Sequence, residues 1–139
     1  MSYVSASLRR LVIERAGNCC EYGLLAQTDN PFSFHIEHIK SVKHGGETTA
    51  ENMCLSCPDC IAFKGSDVAS EDPETGQLAP LFNPTSQNWS EHFSLLGNSI
   101  KPLTAVGRVT VFLLRMNIDR RVAERTILIR LNRYPCREI

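Results

Sequence analysis

The chain has 139 residues, 42% of them apolar, and carries 15 basic and 15 acidic side chains, which is enough material for one domain with a true core. It has no run of about 18 apolar residues able to span a bilayer, and its opening Met1-Ser-Tyr-Val-Ser-Ala-Ser lacks the basic and apolar stretches of an export signal. A cytoplasmic protein with no membrane partner is expected. The zero net charge divides unevenly, with 6 Lys/Arg against 12 Asp/Glu in residues 1–100 and 9 against 3 in residues 101–139. A basic C-terminal segment can follow a nucleic-acid backbone, although a solvated helix face produces the same bias. Six cysteines in a chain expected to meet reduced thiols point to metal, zinc first, rather than to disulfides.

In chain order, Ser7 to Ala16 places Leu8, Leu11, Val12 and Arg15 at helical spacing, with a serine available to cap and Gly17-Asn18 to stop the helix. Cys19-Cys20-Glu-Tyr-Gly23 follows in the turn. After the Asp29-Asn30-Pro31 turn, Phe32 to Glu37 alternates with period two, which predicts a strand with Phe32, Phe34 and Ile36 on one face and His35 and Glu37 on the other. His44-Gly45-Gly46 supplies a loop, Asn52 to Cys57 reads as a returning strand, and Pro58 opens a short helix carrying Cys60, Ile61 and Lys64 before Gly65 ends it. The order is strand, loop, strand, helix.

Residues 67–84 are rich in Pro, Gly, Asp and Glu and are expected to wrap over the surface. Asn88 to Leu95 forms either a short helix turning into a strand or a strand pair. Thr104 caps a helix reaching Asn117 that buries Val106, Val109, Phe112, Leu113 and Met116, with Gly107 where something packs closely. Asp119 caps a last helix, with Val122, Ile127 and Leu131 inward and Arg120, Arg121, Arg125, Arg130 and Arg133 outward.

Glu37 beside His38, Asn52 on the returning strand, and Cys57-Pro-Asp-Cys60 form a set suited to holding a divalent ion against a phosphodiester, whose cleavage needs a base for water and a cation for the developing charge. Neighbouring strand residues face opposite ways, so Glu37 and His38 share a site only if the strand ends or bulges there. Asn52 is placed to fix the histidine tautomer. Each part has a plainer reading: a strand histidine is usually a surface residue, Asn52 suits a turn, and one Cys-x-x-Cys pair is only suggestive of metal. A redox or zinc-storage protein would explain the cysteines but not Glu37, His38 and Asn52.

Cys20-Glu-Tyr, Phe34-His-Ile-Glu-His-Ile, His44-Gly-Gly, Asn52, Cys57-x-x-Cys60 and Lys64-Gly65 resemble the HNH endonucleases. Asp72-Pro-Glu-Thr-Gly, Leu81-Phe-Asn-Pro, Trp89-Ser-Glu-His-Phe and Gly107-Arg-Val-Thr resemble the extension of one bacterial branch of that family. The resemblance implies an α+β, ββα-metal fold with flanking helices, as a single domain over 1–139 with its core at 19–66 and an extension over 67–139. It further implies a DNA substrate, a catalytic Mg2+ or Mn2+, and a structural zinc. His38 would be the general base, Glu37 the ligand of the catalytic ion, and Asn52 the residue orienting the base or its loop. Cys20, Cys57 and Cys60 would hold zinc, and Lys43, His44 and Lys64 would meet the nucleic acid. Two positions depart from the pattern. Gly23 replaces the second cysteine of the first knuckle, leaving zinc one ligand short unless Cys19, Cys54 or a histidine substitutes, and Ile61 stands where a second ligand of the catalytic ion is usual. A catalytically degenerate scaffold that binds DNA or a protein without cutting is the alternative.

Overall fold

The computed structural model describes residues 3–139. Helix α1 (Ala6–Ala16) begins where the Ser5 hydroxyl accepts the Leu8 N–H at 3.1 Å and ends at Gly17, which takes the left-handed φ of 63° that favours glycine. Its buried Val12 and Ala16 pack onto a hairpin of β1 (His35–His38) and β2 (Met53–Ser56). These strands pair antiparallel, with Ile36 opposite Leu55, Glu37 opposite Cys54 and His38 opposite Met53. Helix α2 (Pro58–Lys64) starts with proline in its first turn and packs against β1, where the missing N–H of proline costs nothing. The ββα unit is therefore present. Phe34 is buried but Phe32 is 69% exposed: the predicted alternation starts too early, because the Asn30 side chain turns the backbone at Phe32 before the strand begins.

The polar stretch after α2 contains a small hairpin, β3 (Ala69–Glu71) with β4 (Leu78–Pro80). Buried Asp72 anchors it, accepting from Arg108 Nε at 2.9 Å and Nη2 at 2.7 Å and from Glu74 N–H and Thr75 Oγ1. The Arg108 guanidinium holds the Asp72 carboxyl well below the usual carboxylate range. A depressed carboxyl contributes stability that is whole above its unfolded value of about 4 and lost as pH falls below that toward the folded value. We expect Asp72→Asn to unfold more readily than the parent at pH 7 and the difference to close in acid, as read by urea unfolding at stepped pH.

Residues 88–95 resolve as both alternatives at once: helix α3 (Trp89–His92) runs straight into β5 (Phe93–Leu96), which pairs with β6 (Ser99–Pro102). Helix α4 (Ala105–Leu113) is capped by Thr104, whose hydroxyl accepts the Gly107 N–H at 3.1 Å. The close approach expected at Gly107 is there, since a Cβ would lie 2.2 Å from the His92 carbonyl oxygen. Phe112, however, is exposed, and buried Thr110 takes the inward place, donating to Val106 O and accepting from Phe82 N–H.

Helix α5 (Asp119–Arg130) is turned relative to the expected face. Arg121, Arg125 and Leu128 are buried, while Ile127 is 59% exposed, and Leu131 just beyond the helix is exposed too. The reason is the supply of acceptors inside: Arg121 Nη1 donates to Leu114 O, and Arg125 donates to Asn98 O and Asn117 Oδ1. Arginine stems also cover apolar surface as they pass. Ile118 occupies the cap position, and Asp119 makes no capping bond.

The cysteines divide in a way not expected. Cys19 and Cys136 form a disulfide, so Cys19 is not available as a ligand, and Cys20, Cys54, Cys57 and Cys60 are free and buried. No helix among the described residues is long and apolar enough to cross a membrane.

Candidate nuclease site and thiol cluster

Two centres flank the β1–β2–α2 unit. At the first, the β1–β2 register runs through Glu37 and His38 without a bulge, and the strand ends immediately after His38. The His38 side chain reaches the connecting loop, where Nε2 lies 2.9 Å from Thr48 Oγ1. Glu37 and His38 are both half-buried.

The loop between the strands is closed by Asn52, though not through the histidine. Asn52 Oδ1 accepts the Lys40 N–H at 2.9 Å, and Nδ2 donates to Lys40 O at 2.9 Å and Glu47 O at 2.8 Å. Gly46 makes this clamp possible: a Cβ there would sit 1.8 Å from Lys40 O. Asn52 thus orients the loop that carries Thr48, and Thr48 touches His38. Sequence reasoning missed Thr48, for which no local pattern is a signal.

Lys43 and His44 stand exposed on a turn of this loop. Lys64 does not join them at the surface. It is 6% exposed, its ammonium donates to Ile39 O at 2.8 Å, and burial lowers its pKa. A lysine fixed to the end of β1 ties α2 to the strand and is poorly placed to reach a backbone phosphate. Ile61 is half-buried on α2.

At the second centre, the Sγ atoms of Cys20, Cys57 and Cys60 lie within 4.8 Å of one another. The Cys20–Cys60 separation is 3.8 Å, which is about the edge of a tetrahedron with zinc–sulfur bonds of about 2.3 Å. Three corners of a zinc site fit. Cys54 is not among them, its thiol lying 3.8 Å from Tyr22 Oη and 3.5 Å from Ser56 Oγ, and burial pushes it up to about 12. Position 23 brings only its N–H, 3.5 Å from Cys20 Sγ.

Arg121 closes the remaining side, its Nη2 lying 3.3 Å from Cys60 Sγ and 3.8 Å from Cys57 Sγ. Burial works against a Cys20 thiolate, but hydrogen bonds from Cys57, Cys60 and the Gly23 N–H outweigh it and hold Cys20 well below the ordinary thiol value. The hydrogen bond between Cys60 and Cys20 pushes the Cys60 thiol up to about 12. The signal for Arg121 was in the sequence: 121, 125 and 128 lie on one helix face, but arginine is an unusual choice for an inward position. Tyr134 Oη donates to Gly23 O, and Cys136 N–H to Leu24 O, so the tail rests on the same turn.

The HNH endonuclease family model matches residues 20–61, from the first knuckle cysteine to the residue after the last. That segment is similar to the HNH endonucleases. No curated protein and no solved structure gives a significant match. The HNH segment contains Glu37, His38, Asn52 and all three clustered thiols, and the α+β arrangement of a paired hairpin followed by α2 is the ββα form.

Proposed function

We propose that the HNH domain is a metal-dependent endonuclease that hydrolyses phosphodiester bonds of DNA, with His38 as general base, Glu37 as ligand of the catalytic ion and Asn52 as the clamp of the active loop. The observation that carries the reading is the His38 environment. His38 Nε2 lies 2.9 Å from Thr48 Oγ1, and in the tautomer that donates to this hydroxyl the Nδ1 lone pair is free to take a proton from water. Exposed Lys43 and His44 on the same loop give a phosphate backbone its first contact.

Among the described residues the three thiols are the one cluster of three or more metal-ligating side chains, so Glu37 belongs to no group of three that could enclose the catalytic ion. That is compatible with magnesium, which keeps most of its waters and is often held by one or two carboxylates together with substrate phosphate. When bound, a magnesium or manganese ion supplies charge neutralisation at the phosphate and leaving oxygen. Cys20, Cys57 and Cys60 hold a structural zinc as three thiolates. Residues 1–139 act as one unit, a reading supported by Trp89 Nε1 donating to Tyr22 O from the extension into the core. The Cys19–Cys136 bond is the observation that weighs against a cytoplasmic setting, where glutathione keeps thiols reduced.

Ile61 favours the second reading, a scaffold that binds DNA without cutting. Plasmid nicking with magnesium or manganese separates the two. We expect weak nicking by the parent that rises with metal concentration, and faster nicking by Ile61→Asn, by roughly 10-fold or more. DNA binding with no nicking in either protein at any metal concentration would establish the non-cutting scaffold.

A further inference from the structure

Building on the three-thiolate zinc site proposed above, we infer that the Arg121 guanidinium is that site's built-in counter-ion, closing the side left open by Gly23 and completing the site electrostatically rather than by ligation. The space comes first. A Cβ on Gly23 would lie 3.1 Å from Arg121 Nη2 and 3.9 Å from Cys60 Sγ, so the direction in which any side chain at position 23 would grow is taken by the guanidinium. Arginine has five donors and no acceptor. It cannot ligate an ion, and what it offers the sulfurs is hydrogen bonds and charge.

The charge count supports the assignment. A divalent ion with three thiolates carries one net negative charge, and a guanidinium, always protonated, carries one positive. Their sum is neutral. All four side chains are buried, at 1% exposure or less, and an uncompensated charge in such a place is expensive. A fourth thiolate would leave the centre negative again. Other charges nearby are already matched: Asp59, 3.8 Å from Arg121 Nε, takes two bonds from Arg120 at 2.8 and 3.0 Å.

The guanidinium is also aimed. Nη1 is fixed on Leu114 O at 2.7 Å, which directs Nη2 at Cys60 and Cys57, and Nε has no hydrogen-bond partner. A buried arginine that leaves one donor unsatisfied while pointing another at two sulfurs is placed for the sulfurs. The ion in this site would keep three protein ligands, leaving its fourth position to water or nothing, and would exchange more readily than one in a closed four-ligand site. Arg121 is thus a positioning residue for the metal centre.

Cobalt(II) and zinc titration of the full chain tests this. The parent is expected to take one equivalent with the sulfur-to-cobalt charge-transfer absorption of three thiolates. Arg121→Gln should weaken metal affinity roughly 10- to 100-fold, the range seen when partners of metal ligands are removed, and Arg121→Lys, which keeps the charge, should recover most of it. A parent that binds no metal would overturn the three-thiolate site itself. A parent that binds, with Arg121→Gln binding equally tightly, would leave that site standing and overturn the role of Arg121. Should Arg121→Gln fail to fold, NMR of the unmutated protein decides: the buried guanidinium signals should move on adding one equivalent of zinc while those of exposed Arg130 and Arg133 stay, and unmoved Arg121 signals would overturn the inference.

Discussion

His38→Ala is expected to lower metal-dependent DNA nicking by roughly 10²- to 10⁴-fold, the usual contribution of a positioned general base. The fold should hold, because His38 is half-buried and its side chain makes one hydrogen bond, to a threonine hydroxyl that can turn to water when the ring is gone. The expected stability loss is about 1 kcal/mol. Activity and stability therefore separate in this variant, and a plasmid assay run beside a melting curve reads both. Raising magnesium or manganese should not restore the rate, since the missing part is a proton acceptor. That contrasts with the parent, where mass action on a weakly held ion should help. If His38→Ala nicks as fast as the parent, the base is elsewhere, and exposed His44 on the same loop is the next side chain to replace.

Breaking the Cys19–Cys136 bond, by reductant or by Cys136→Ser, should cost roughly 2–5 kcal/mol of unfolding free energy and lower the melting temperature by on the order of 10 °C. The size follows from the loop it closes. The two cysteines are 117 positions apart, so the bond links the end of α1 to the last residues and removes much of the freedom of the unfolded chain. Tail contacts that need no bond remain: Arg133 pairs with Asp29 at 3.0 Å, Tyr134 donates to Gly23 O, and Cys136 N–H donates to Leu24 O. The native structure should thus survive reduction while unfolding at lower temperature and denaturant. Calorimetry with and without reductant measures the difference, and mass spectrometry after alkylation counts the free thiols. Four alkylated thiols without reductant and six with it are expected; six in both would place these cysteines among the reduced ones.

The ββα unit was legible because its punctuation is local. Pro58 marks a helix start, Gly65 a helix end, and Gly45-Gly46 a loop, each through backbone constraints that operate wherever the residue stands. The knuckle trio was legible from spacing together with Cys20. What could not be read depends on residues far apart in the chain. Cys19 finds Cys136, Asp72 finds Arg108, and Thr48 meets His38 only after the loop folds back on Asn52. The last helix misled in an instructive manner. Hydropathy sends arginine outward, and that rule yields where buried carbonyls and sulfurs need a donor, as they do around Arg121 and Arg125. The expectation of metal rather than disulfides failed for Cys19 and Cys136, whose pairing depends on a tertiary approach across 117 positions that no local pattern announces.

The clamp at Asn52 hangs the closure of its loop on a single amide group. Its nitrogen faces two carbonyl oxygens, of Lys40 and Glu47, and hydrolysis to aspartate would set a carboxylate, which accepts and cannot donate, against both of them. Two attractions become two repulsions. Gly46 and Lys40, packed against that side chain, would be released together with the turn bearing Lys43 and His44. A carboxylate at this one position would therefore loosen the loop while the thiol cluster and the disulfide, which Asn52 does not touch, stay as they were.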